Sequence, residues 1–174
     1  MSWASRIALV VVVLWSTSEA RSEPTRMDWA LAEVKADLTR SLNCVWDADP
    51  YPPPIVCPLQ LMNLGLFPDG DGSVESVELT LVNETASPRD RNVERASRET
   101  AIDTVRYFLP MWRGGGAWLS KALRDAVRPH TKRVTRVGRI TVMVHWVQPN
   151  RPDTYAVVVL TKRSSLEKFE YGLN

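Results

Sequence analysis

Only two side chains in this 174-residue chain have an ordinary pKa near neutrality, His130 and His145, so acid–base chemistry at pH 7 has to start from one of them. Neither sits in a catalytic motif. The chain holds no Gly-x-Ser-x-Gly elbow, no His-Glu-x-x-His pair, no phosphate-cradling glycine loop and no Cys-x-x-Cys. His145 lies within a β-branched run beside Met143, where a partly buried histidine with one hydrogen bond is the plainer reading. The sharper reading is a general base over a sheet, acting with a carboxylate such as Asp153 or an unassigned serine, as in a small secreted hydrolase. His130 follows Pro129 in a basic loop and reads as a solvated residue.

The two cysteines, Cys44 and Cys57, stand close together in sequence, which in an oxidising compartment reads as one disulfide. Between them Trp46 and Tyr51 lie in a proline-rich stretch, 46–54, that cannot be helical because prolines lack the backbone donor. A free reactive thiol is the weaker reading, since no histidine or basic helix start lies nearby to activate either sulfur. Residues 67–78 place Asp69, Asp71, Gly72, Glu75 and Glu78 at EF-hand spacing. Phe67, however, stands where the first ligand belongs, and alternation from Val74 onward asks for a strand where the motif needs a helix. An acidic turn is the expectation, with no metal and no cofactor.

Charge concentrates in one place. Arg124, Arg128, Lys132, Arg133, Arg136 and Arg139 cluster against Asp125 alone, although the whole chain carries a net charge of only +2. Cations favoured at a helix carboxyl end and charges that protect a strand entry explain much of this cluster. The alternative is an anion-binding face for an acidic protein or an anionic envelope component. Near-neutral overall charge argues against a nucleic-acid binder, and the cluster contains no aromatic of its own for bases to stack on. Among seven tryptophans, Trp118 and Trp146 read as core, whereas Trp46, Tyr51 and Trp112 are equally suited to a recognition surface.

These residues need a scaffold, and periodicity supplies one. Leu31, Val34, Leu38 and Leu42 recur at helical steps within 27–42. Cys57 to Met62 reads as a short helical turn. Alternation over 74–83 predicts a strand with one wet face. A second helix carries Val93, Ala96, Ile102, Val105, Phe108 and Leu109 and ends at Pro110. A third restarts at Trp118 after the Gly114–Gly116 corner, which reads as flexible. Val137–Gln148 and Thr154–Thr161 should pair as a hairpin across 149–152. That loop sets Trp146 against Tyr155, Val144 against Val157, Val142 against Val159 and His145 against Ala156. The expected fold is α+β: this central hairpin plus one earlier strand, packed with about three helices.

The amino terminus suggests where the domain works. Arg6 precedes the apolar run Ile7–Trp15, and Ser18 and Ala20 fill the small-residue positions of a cleavage site. Residues 1–20 therefore read as a signal peptide that leaves one domain, 21–174, secreted or periplasmic and without a transmembrane segment. A retained anchor is the alternative. The Asn83-Glu84-Thr85 triplet is a glycosylation acceptor only in a eukaryotic source. The functional expectation is an exported, non-enzymatic binding module with an unidentified protein or anionic envelope partner, the alternative being the His145 hydrolase. Candidate binding residues are Trp46, Tyr51, Trp112, Arg124, Arg128, Lys132, Arg133 and Arg136.

Overall fold

The computed structural model describes residues 25–46, 55–59, 62–82, 91–126, 128, 130–146 and 154–162. The expected signal peptide 1–20, residues 47–54 of the proline-rich stretch with Tyr51, the Asn83 triplet, the expected 149–152 loop and Asp153 lie outside them. Among the described residues six antiparallel strands form one sheet: β1 (Ile55–Leu59), β2 (Met62–Pro68), β3 (Val74–Val82), β4 (Lys132–Val137), β5 (Ile140–Trp146) and β6 (Thr154–Thr161). They lie in the order β1-β2-β3-β6-β5-β4. Two consecutive three-stranded meanders thus meet along a single seam between β3 and β6. Three helices among the described residues complete the α+β fold: α1 (Leu31–Leu42), α2 (Arg91–Phe108) and α3 (Gly115–Asp125).

The sheet is larger than the expected three strands. Cys57–Met62 is not a helical turn; it belongs to the β1–β2 hairpin, with Leu59 opposite Met62. Pro58 is tolerated there because β1 is an edge strand, where a missing N–H breaks no ladder. The strand expected over 137–148 is present as β5 from Ile140 to Trp146, but it begins later, because Val137 already belongs to β4 and the two strands form a second hairpin. Gly138, at φ 56°, takes the left-handed conformation that a tight two-residue turn between Val137 and Ile140 requires.

The β5–β6 pairing is expected and present, but its register differs by one residue. Trp146 stands opposite Ala156, Val144 opposite Val158, Val142 opposite Leu160, and His145 opposite Val157 rather than Ala156. A one-residue slip exchanges faces along a whole strand. Here both faces of β6 are apolar, so alternation alone could not choose between registers. The helix-bearing face gathers Leu64, Leu79, Val158 and Val144 into the main core, together with Val34 and Leu38 of α1, Val105 and Phe108 of α2 and Leu119 and Leu123 of α3. Met143, Val157 and Val159 form a smaller buried cluster on the opposite face.

Two tethers fix the helices to this sheet. Asn43 ends α1 in the left-handed conformation and turns the chain so that Cys44 bonds Cys57, with 5.5 Å between the Cα atoms. Ahead of α1, a short 3₁₀ turn at Arg26–Asp28 holds the carboxyl end of α2. The Thr25 hydroxyl donates to the Phe108 carbonyl at 3.0 Å, and Arg26 donates to the Tyr107 carbonyl at 2.6 Å. These carbonyls belong to the last turn of α2, which has no helical donors left for them. Met27 follows fully buried, a side chain worth about 1.5–3 kcal/mol in transfer free energy.

Candidate anion-binding edge

The expected basic cluster spans the last turn of α3, a tight turn and the edge strand β4. Arg124 closes α3 from an exposed position and donates to Ser120 Oγ at 3.4 Å. Its charge lies where the helix dipole favours it. The Thr131 N–H returns to the Arg128 carbonyl at 3.2 Å, and His130 adopts φ 60°, which turns the chain sharply into β4. His130 then rests against the Trp146 ring at 5.6 Å.

Along β4 the side chains alternate between the two faces of the sheet. Arg133 and Thr135 pair with Val144 and Val142 on the helix-bearing face, whereas Lys132, Val134 and Arg136 pair with His145, Met143 and Thr141 on the other. Arg133 binds Asp125 at 3.0 Å. Arg139 lies in the β4–β5 turn and pairs with Asp28, so it belongs to the scaffold. Lys162 joins that scaffold through Ser73 Oγ at 2.7 Å, linking the end of β6 to the β2–β3 turn. Among the described residues no carboxylate pairs with Arg128, Lys132 or Arg136.

Between α3 and β4 a shallow groove of about 140 Å³ is lined by Trp118, Lys121, Ala122, Asp125 and Arg133. Positions 118, 121, 122 and 125 lie one helical turn apart and share one face of α3. The fold thereby supplies an aromatic to a cation cluster that has none in linear sequence. Trp118 was expected in the core; it packs against the core and also floors this groove. Trp112 stacks behind it with ring centroids 5.6 Å apart. The glycine corner is tightly packed rather than loose, because a Cβ on Gly115 would stand 2.6 Å from the Trp112 indole.

No family model, curated protein or solved structure matches this chain.

Other candidate residues lie elsewhere or do other work. Trp46 donates its indole N–H to Thr39 Oγ1 at 3.0 Å, and Lys35 lies over its ring at 5.5 Å. It therefore packs on α1, apart from the basic edge. His145 is half-buried on β5, its Nδ1 3.2 Å from the Trp146 carbonyl, so that nitrogen carries the proton in the neutral ring. Burial lowers its pKa from 6.5, opposed by the Trp146 carbonyl and the charge of Glu78. Asp69 and Asp71 shape the β2–β3 turn by accepting from the Gly70 and Ser73 N–H groups at 2.7 and 2.8 Å. β3 starts at Val74, where an EF-hand would need its second helix.

Sequence reading missed Lys121 and the groove. The signal was the 118/121/122/125 spacing, but its meaning depended on recognising Lys132–Val137 as a separate strand for that helix face to pack beside.

Proposed function

We propose that this chain is an exported, non-enzymatic binding domain whose basic β4 edge and adjoining α3 groove engage an anionic partner. The carrying observation is the set of cations at Arg128, Lys132 and Arg136, exposed and without a carboxylate among the described residues. No ion pair among the described residues accounts for them. Arg124 suits the helix end, Arg133 has Asp125 and Arg139 has Asp28, whereas these three stay in water at a cost in mutual repulsion. Trp118 adds a rigid apolar surface beside Arg133 and Lys121, a combination that suits a carboxylate or phosphate next to an apolar group. The Cys44–Cys57 bridge and the apolar leader with its small-residue cleavage positions support export.

Retention of the chain on immobilised polyglutamate, measured against salt, tests the reading. The wild-type chain should elute later than the Arg128→Ala, Lys132→Ala, Arg136→Ala variant, and the gap should close as salt rises. His145→Gln should leave retention unchanged. Equal elution of the wild-type and triple-variant chains at low salt would overturn the assignment of the edge.

A further inference from the structure

The proposed anionic partner can be narrowed by the backbone of β4. We infer that β4 accepts an extended acidic segment of another protein as a seventh strand; this rests on the basic-edge reading and adds a binding mode to it. The tight turn at Gly138–Arg139 makes Val137 and Ile140 a ladder-bonded pair. The Trp146 N–H bonds the Thr131 carbonyl at 2.9 Å, fixing the same parity at the other end. Thr135 and Arg133 therefore spend their backbone groups on β5. The N–H and C=O groups of Lys132, Val134 and Arg136 face away from the sheet, of which β4 is an edge among the described residues.

The two edges of the sheet are unlike. β1 carries Pro58, which has no N–H to offer, a common device against strand addition. β4 has no proline and instead carries cations on both faces: Lys132 and Arg136 on one, Arg133 on the other with Lys121 beside it. A second copy of β4 docking there would set cation against cation, so self-association is disfavoured. An acidic strand meets the opposite situation, because its alternating side chains would find cations on both faces. Val134, 47% exposed, stands midway between Lys132 and Arg136 as an apolar contact for a residue between two carboxylates. Main-chain bonds supply affinity and the alternating side chains supply selection, as in other strand-addition complexes.

A capped synthetic peptide with glutamates on both strand faces, and on one face a valine flanked by glutamates two residues to either side, serves as the probe, titrated into the full chain and followed by backbone amide exchange. Binding should slow exchange at Lys132, Val134 and Arg136. Val134→Pro keeps every charge and removes an outward N–H together with the valine side chain, so it should weaken the peptide at least about tenfold, or ~1.4 kcal/mol. A peptide of the same charge with alternate amides N-methylated should lose as much against the wild-type chain, which keeps the test independent of how well the proline variant folds. Equal binding of methylated and unmethylated peptides overturns strand addition while leaving the basic edge standing. Binding of anionic phospholipid vesicles without binding of the peptide likewise overturns it in favour of a membrane surface. A peptide-free dimer paired through β4 would overturn it in favour of a second copy, and no binding to peptide or polyglutamate would overturn both readings.

Discussion

Gly115→Ala tests how tightly the corner beneath the candidate groove is packed. A Cβ at this position would lie 2.6 Å from both Trp112 Cδ2 and Cε3 and 3.0 Å from Cγ, while carbon atoms prefer roughly 3.5–4.0 Å. The indole must retreat by about 1 Å on that ordinary contact distance, but Trp118 stands on it at 5.6 Å. Overpacking of this kind costs about 1–3 kcal/mol. Alanine returns up to about 1 kcal/mol through helix propensity, and less at the first residue of α3. The net expectation is a loss of about 1–2 kcal/mol, or a Tm lower by roughly 2–8 °C for a chain of this length. The assay is thermal unfolding of four chains: wild type, Gly115→Ala, Trp112→Leu and the double variant. With the ring gone, the alanine should be neutral or slightly stabilising, so the cycle should show a coupling of about 1–2 kcal/mol. An unchanged Tm for Gly115→Ala, or the same loss in the leucine background, would refute the packing argument.

Three further outcomes follow from the geometry. Replacing Cys44 and Cys57 together by alanine should cost about 3 kcal/mol by the chain-entropy estimate for a loop of roughly 14 residues, measured as the shift in denaturant midpoint against the oxidised wild-type chain. Thr25→Val keeps the shape but takes a partner from both the Phe108 carbonyl and the Met27 N–H. It should cost about 1–3 kcal/mol and speed amide exchange in the last turn of α2; unchanged exchange there would refute the tether. The lowered pKa of His145 means that the unfolded chain binds its proton more readily. Stability should therefore be complete above 6.5 and fall as pH drops below that value toward the folded pKa. His145→Gln should flatten this part of the Tm–pH curve, and a slope identical to wild type would count against it.

How much could be read in advance depended on whether a pattern had one interpretation. α2, α3 and β3 each bury one side, so helical or alternating periodicity located them. β1 and β2 went unrecognised because Pro58 and the short run Leu59-Gln60-Leu61-Met62 suit a helical turn as well as an edge hairpin. The β5–β6 register slipped because Val157, Val158 and Val159 are all buried, which leaves alternation with nothing to distinguish. β4 was hidden by its cations, which read as charge flanking a strand when they are the strand. The basic residues of the candidate site were plain from composition, but their arrangement was not. Dividing Arg133 from Lys132 and Arg136, and bringing Trp118 beside Arg133, needs both the β4–β5 turn and the packing of α3.

The seam between the two meanders also sets an order of events during synthesis. β3 emerges early, yet β6, its partner across the seam, is the last of the six described strands to be made. Between Val82 and Thr154 a ribosome working at about 5–20 residues per second spends roughly 4 to 15 seconds. Throughout that interval the early half carries Val77, Leu79 and Leu81 along an unclosed border, a template for any stray strand. The first half cannot complete the sheet before the second half arrives, and it must be shielded from aggregation for the same span.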